Sequence, residues 1–165
     1  MSGAEKDLIN ANSRMIMKYF AYGSNMNPAR MKKREVNFTS RQHAVLKKYS
    51  LQFNKMASKN PTKEGKGNIV SDVDEFVEGA LYEIKSSDRD KLDEAEGYSD
   101  HYDRITVLVQ VDDGKPVLAF TYIAQPHMVR DGLKPTREYL NHYLEAKDIL
   151  SKRYYQKLES WSTLD

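Results

Sequence analysis

The chain has 165 residues, which is enough for one domain with a hydrophobic core and too few for two. Hydrophobic residues make up 39% of it, charged residues 30% and aromatic residues 10%, a composition that disfavours a disordered chain. The formal charge of +2, from 26 basic and 24 acidic residues, gives no general attraction to nucleic acid or to an anionic membrane, so neither is an expected partner.

The first predicted elements are a tail, a strand and a short helix. Residues 1–16 are polar and patternless, which predicts a disordered tail ahead of a single domain at 17–165. An aromatic-rich strand is expected at 17–22, and it ends abruptly at a glycine. Asn27 before Pro28 is typical of a helix cap and a first helical residue, so a short helix should follow, to about residue 34.

The middle of the chain alternates between strand and loop signals. Residues 57–68, rich in Lys, Gly and Asn, predict a mobile surface loop. Ser86 or Ser87 should cap a helix that ends at Gly97. Gly79 lies inside a predicted strand and indicates a bulge or a close backbone approach. The strands predicted here are 42–46, 49–53 and 76–84.

The last third predicts a hairpin followed by helix. Residues 102–111 and 117–124 are strand-like segments on either side of the turn 112–115, and this pattern is a strong hairpin signal. Residues 136–161 carry apolar side chains at helical spacing. The order indicates an α+β fold, with a small mixed or barrel-like sheet and flanking helices.

Several chemistries are disfavoured by residue content. The chain has no cysteine, so disulfides, thiolate nucleophiles and cysteine metal sites are absent, and a cytoplasmic location is expected. The four histidines, His43, His101, His127 and His142, lack metal-site spacing, and no metal or other cofactor is predicted. No apolar run approaches the roughly 20 residues of a membrane span, and no signal-peptide core is seen.

The loop from Tyr22 through Gly23, Ser24 and Asn25 to Met26 is the first candidate site. A strand that ends in glycine, small polar residues and a helix start presents several backbone N–H groups in one concave patch, which suits a carboxylate or an oxyanion. An ordinary strand-to-helix turn would use the same residue types, and that interpretation stays open.

Glu96 is the second candidate. It lies on the last turn of its helix, where the dipole disfavours negative charge, and Asp93 and Glu94 are nearby. Both effects, and partial burial, raise the pKa of a carboxylate toward that of a general base. A solvated acidic helix end is the alternative. Tyr102 and Tyr122, on successive predicted strands, are candidates to orient a substrate amine or carboxylate through their hydroxyls, and for each taken singly an ordinary strand tyrosine is the favoured alternative.

Three segments together resemble the γ-glutamylcyclotransferases. They are KYFAYGSNM at 18–26, VEGALYEI at 77–84 and LDEAEGY at 92–98, in the family's order and spacing, within a resemblance that covers about 17–160. The resemblance implies a small mixed α/β barrel with a pocket at one end. It also implies that the substrate's α-amine attacks its own γ-carbonyl, which releases 5-oxoproline and a free amine or amino acid.

The resemblance assigns roles by position. It implies that Glu96 is the acid/base and that residues 22–26 bind the glutamyl part, with Tyr102 and Tyr122 in the pocket. It implies a small-molecule γ-glutamyl substrate and no cofactor, and it is compatible with a homodimer because relatives dimerise. The γ-glutamyl amino acid branch is the closest, since the loop reads YGSNM and neither YGTL nor GSL.

Other interpretations remain beside this one. Substrate choice depends on the rim of the pocket, and the sequence does not predict the conformation of the loops 57–68 and 125–135 there. A γ-glutamylamine cyclotransferase acting in a biosynthetic deprotection step is therefore one alternative. A non-catalytic binding protein of the same fold is another, and a glutamate at position 96 argues against it. The basic cluster at 30–34 indicates a solvated helix face rather than a nucleic-acid site, given the balanced total charge.

Overall fold

Five strands close into a barrel in the order β1-β3-β2-β4-β5, with helices packed around it. The structure is a computed structural model that describes residues 1–165 apart from the side chain of Ser13. The strands are β1 Ile16–Ala21, β2 Ser40–Met56, β3 Gly65–Lys85, β4 Tyr102–Val111 and β5 Pro116–Ala124. The helices are α1 Gly3–Ser13, α2 Pro28–Lys33, α3 Ser86–Glu96, α4 Arg137–Leu144 and α5 Lys152–Glu159. The predicted α+β barrel with flanking helices is confirmed, and no described helix is long and apolar enough to cross a membrane.

Strand β1 closes the barrel. It pairs antiparallel with β3 along its whole length and parallel with β5 at Tyr19 and Phe120. At its end, a Cβ on Gly79 of β3 would lie 2.4 Å from the carbonyl oxygen of Ala21. The close backbone approach that the sequence predicted at Gly79 is therefore confirmed, and it allows β1 to deliver the following loop to the mouth of the barrel.

Strands β2 and β3 are longer than predicted. Two separate strands were expected within β2, but a single strand of 17 residues runs through Lys48, whose φ is 68° and where the pairing register with β3 shifts. The predicted loop at 57–68 is wrong in its last four residues, since β3 begins at Gly65. Glycines suit this start because a Cβ on Gly65 would lie 1.8 Å from the Phe53 carbonyl oxygen.

The helical segments also differ in detail from the predictions. Helix α1, with a capping box between Ser2 and Glu5, occupies the segment for which a disordered tail was predicted. The cap of α3 is Lys85 rather than Ser86 or Ser87, because the buried Asp88 carboxylate accepts the backbone N–H of Lys85 at 3.2 Å. The C-terminal helical stretch is two helices separated by a turn at 145–151.

A buried carboxylate ties α5 to the barrel. Glu78 on β3 accepts the Ser151 hydroxyl at 2.5 Å and the Ser151 backbone N–H at 2.8 Å, at the start of α5. His43 on β2 lies 2.8 Å from Glu78 through Nε2 and 2.5 Å from Asp112 through Nδ1. The imidazole therefore bridges two carboxylates on different elements.

This bridge predicts pH-dependent stability. Burial lowers the pKa of His43, but the hydrogen bonds to Asp112 and Glu78 outweigh it, and the net shift is upward. The stabilisation is complete below the unfolded pKa of about 6.5 and is lost as pH rises through the raised folded pKa. Between about pH 6 and pH 9, the unfolding free energy of the wild type should fall relative to His43→Gln in urea titrations. The exposed His127 gives the control His127→Gln, and equal pH dependence in wild type and His43→Gln would contradict the assignment.

Candidate active site

The loop that follows β1 presents unused backbone donors to a pocket at the barrel mouth. The N–H groups of Met26 and Asn27 bond back to the carbonyls of Gly23 and Ser24 at 3.0 and 3.2 Å. The N–H groups of Gly23, Ser24 and Asn25 have no acceptor among the described residues, and all three residues line the pocket. Such a patch of free donors suits a carboxylate or a developing oxyanion.

Glu96 faces this loop from the end of α3. Its helix stops at Gly97, which adopts the left-handed conformation at φ 65°, and the side chain of Glu96 keeps 17% of its surface exposed. Oε1 accepts hydrogen bonds from Asn25 Nδ2 at 3.1 Å and Arg34 Nη1 at 3.2 Å. Within the described residues, no hydrogen bond reaches Oε2. The loop and Glu96 therefore form one site, with one carboxylate oxygen open to a ligand.

Burial sets the basicity of Glu96. It raises the pKa of Glu96 above its usual value, while the positive charges of Arg34, Arg30 and Lys55 oppose the rise without cancelling it. The sequence predicted the upward shift from the helix end, from neighbouring acidic residues and from partial burial, and burial is the largest cause in the structure. The neighbouring Asp93 bonds to a tyrosine: its Oδ1 accepts the Tyr122 hydroxyl at 2.6 Å. The shift favours a group that takes and returns a proton near neutral pH.

Tyrosines form most of the pocket wall. The pocket and its open mouth together enclose about 330 Å³, and the tyrosines of the pocket are Tyr19, Tyr22, Tyr102, Tyr122, Tyr139 and Tyr143. Burial raises the pKa of these phenols, so they stay protonated at neutral pH.

The predicted pocket tyrosines lie in the wall, but their hydroxyl protons are already engaged. Tyr102 donates to the Gly67 carbonyl at 2.7 Å, and Tyr122 donates to Asp93. Tyr22 likewise donates to the Tyr122 carbonyl at 2.7 Å. These rings therefore shape the cavity, and only their oxygen lone pairs face a substrate as acceptors.

Several pocket residues were not predicted. Tyr19 accepts the Asn25 amide at 3.0 Å, and Tyr139 accepts the Gly67 N–H at 3.0 Å. The only sequence signal for Tyr139 and Tyr143 was their helical spacing, which α4 shares with any core-facing helix. Met26 was predicted in the site, but its side chain is fully buried and does not line the pocket.

A second, outer cavity adjoins Glu96 and carries basic side chains; with its open mouth it encloses about 690 Å³. Arg30, Arg34, Lys55, Lys66 and His101 line it. The predicted solvated basic face at 30–34 is therefore wrong in part: Arg30 Nε donates to Ser24 Oγ at 2.9 Å and Arg34 pairs with Glu96, whereas Lys32 and Lys33 are exposed.

Residues 19–145 match the γ-glutamyl cyclotransferase, AIG2-like family. The chain belongs to this family. The match spans more than half of the sequence and includes the loop, Glu96 and the tyrosines at 139 and 143.

Solved structures agree with the γ-glutamyl cyclotransferase assignment. A structure named γ-glutamyl cyclotransferase superposes with a TM-score of 0.80 at 26% identity, covering 92% of this chain and 90% of that one. An uncharacterised human protein gives 0.78 at 26% identity, with coverages of 91% and 90%. YkqA from Bacillus subtilis gives 0.79 at 25% identity, covering 96% of this chain and 60% of that one. No curated protein sequence matches the chain significantly.

The contacts around Gly67 predict how tightly the pocket is packed. A Cβ at Gly67 would lie 2.0 Å from the Tyr143 hydroxyl and 3.4 Å from that of Tyr139. Gly67→Ala should therefore lower the unfolding free energy by about 1–3 kcal/mol. By displacing the tyrosine wall, it should also reduce kcat/KM of the reaction that the pocket catalyses. Gly3→Ala is the control, since a Cβ there meets nothing within 4 Å. Wild-type urea midpoint and activity in Gly67→Ala would show that the wall is not so constrained.

Proposed function

We propose that the protein cleaves γ-glutamyl amides, γ-glutamyl amino acids above all, and releases 5-oxoproline with the free amine or amino acid. The observation that carries this proposal is the placement of Glu96 3.1 Å from Asn25, beside the three unused N–H groups of the loop. One side of the pocket thus supplies a raised-pKa carboxylate and the other supplies donors for negative oxygen.

The proposed reaction needs no nucleophile from the protein. Glu96 takes a proton from the α-ammonium of the substrate, and the freed amine nitrogen attacks the γ-carbonyl carbon to form a five-membered ring. The C–N bond to the leaving group then breaks while Glu96 returns the proton to the leaving nitrogen. Glu96 next takes the second proton that the ring nitrogen must lose and passes it to the released amine, which departs as an ammonium. Because the attack is intramolecular, a pocket that holds the glutamyl chain folded lowers a large part of the barrier.

The contacts around Asn25 support this division of roles. Arg34 Nη1 bonds to both Asn25 Oδ1, at 2.7 Å, and Glu96 Oε1. Arg34 therefore fixes the distance between loop and carboxylate. The loop N–H groups would hold either the substrate α-carboxylate or the tetrahedral oxygen, and the protonated tyrosine wall excludes water from the folded chain.

The test is product formation from a panel of γ-glutamyl compounds. Incubation with γ-glutamyl-alanine, glutathione and a γ-glutamylamine should release 5-oxoproline from at least one, with γ-glutamyl-alanine foremost. Release from the γ-glutamylamine alone would move the assignment to a deprotection enzyme. No release across a broad panel would overturn the proposal in favour of a binding protein.

A further inference from the structure

Lys55 is a buried cation that no carboxylate neutralises at short range. It lies on β2 with 5% of its surface exposed. Its Nζ donates to His101 Nδ1 at 2.8 Å and lies 5.4 Å from the centre of the Tyr102 ring. Among the described residues, no carboxylate oxygen comes within 4.0 Å of Nζ. A buried charge without a partner is costly, so such a group is expected to meet a ligand charge.

The hydrogen bond to His101 leaves the ammonium free for that ligand. Lysine has three N–H donors and no acceptor, so His101 Nδ1 must be the acceptor. His101 is the one acceptor that the described residues supply to Nζ. Two donors thus remain, and His101 fixes the direction in which they point.

The cavity around Lys55 is positively charged, like Lys55 itself. Among its other cations, Arg34 is paired with Glu96, and Lys66 is paired with Glu64 at 3.1 Å. Arg30 contacts Ser24 Oγ and His142 and forms no ion pair within the described residues. The carboxylates that line this cavity are Glu94 and Glu96, against four lysines and arginines. The cavity therefore favours an anion.

The place of this cavity identifies which part of the substrate enters it. It shares Ser24, Glu96, Tyr102 and Tyr139 with the inner pocket, so the two meet at the acid/base. With the glutamyl chain in the inner pocket, the group beyond the scissile bond extends into the outer cavity. We propose that Lys55, positioned by His101, binds a carboxylate on the leaving group and so selects γ-glutamyl amino acids over γ-glutamylamines. This inference rests on the proposed function.

Two substrates that differ only in this carboxylate provide the test. γ-Glutamyl-alanine and γ-glutamyl-ethylamide have the same leaving skeleton with and without the carboxylate. A charge-assisted hydrogen bond to it predicts a kcat/KM for 5-oxoproline release that is about 10- to 100-fold higher for γ-glutamyl-alanine. Lys55→Met should reduce this ratio about tenfold or more, and the exposed Lys47 on the same strand gives the control Lys47→Met, in which the ratio should persist.

The outcomes separate this inference from the function on which it rests. Release of 5-oxoproline from both substrates at equal kcat/KM overturns the carboxylate site and leaves the cyclotransferase intact, and this comparison needs no variant. An unchanged ratio in folded Lys55→Met overturns the role of Lys55. Release from neither substrate, nor from the broader panel, overturns both proposals.

Discussion

Replacing Glu96 by glutamine is expected to lower kcat for 5-oxoproline release by about 10²–10⁴-fold while the fold survives. Glutamine keeps the shape of the side chain and an oxygen that accepts from Asn25 and Arg34, the two groups that contact Oε1. It has no site that takes the α-ammonium proton. The measurement is initial-rate product formation on γ-glutamyl-alanine, with the thermal unfolding midpoint determined in parallel.

Glu94→Gln is the matched control for this variant. Glu94 lies on the same last turn of α3 with its side chain exposed, so its replacement changes the charge near the site without removing the proposed acid/base. Full activity in Glu96→Gln would contradict the mechanism. Equal losses in both variants would mean that the local charge matters rather than the carboxylate of Glu96.

Replacing Arg34 by methionine is expected to move the acid limb of the kcat/KM profile to higher pH. Burial raises the pKa of Glu96, and Arg34 is the largest opposing influence, so its removal raises that pKa further. Less of Glu96 is then ionised at a given pH, and the free base falls most at low pH. At the acid end of the profile kcat/KM should drop about tenfold or more, and the loss should shrink toward alkaline pH.

The control for Arg34→Met is Lys33→Met, because Lys33 is the exposed last residue of α2, directly before Arg34. It removes the same formal charge without touching Glu96, so its pH profile should follow the wild type. A uniform loss at all pH values in Arg34→Met would show that Arg34 only positions Asn25 and Glu96. Identical pH profiles in the wild type, Arg34→Met and Lys33→Met would contradict the electrostatic role of Arg34.

The sequence predicted correctly those elements whose start or end is set by a few neighbouring residues. The hairpin of β4 and β5 follows from alternation around a four-residue turn, and the end of α3 follows from Gly97, whose left-handed backbone suits glycine. The start of β3 was missed because Gly65 and Gly67 read as loop residues in isolation. They belong to a strand because this segment pairs with residues 55–56 of β2, and they are glycines because neighbours from β2 and α4 leave no room for a side chain. Both causes are tertiary.

The same distinction applies to the site. Residue types and local positions made the loop and Glu96 candidates, and the resemblance of three segments to the γ-glutamylcyclotransferases gave them their predicted roles. Arg34 was predicted to belong to a solvated basic face. A basic run at a six-residue helix has the same sequence whether its side chains face solvent or pair with a distant carboxylate, and only the distance to Glu96 separates the two. Tyr139 and Tyr143 enter the pocket only because α4 packs on the loop at 24–26.

The most direct test of the account is the origin of the oxygen atoms in the products. With γ-glutamyl-alanine in H₂¹⁸O, intramolecular attack predicts 5-oxoproline and alanine in equal amounts, with no ¹⁸O in either, because water does not take part in the proposed cleavage. Hydrolysis would instead give glutamate that carries one ¹⁸O in its γ-carboxylate. Labelled glutamate as the primary product would contradict the cyclisation that Glu96 and the loop are proposed to catalyse.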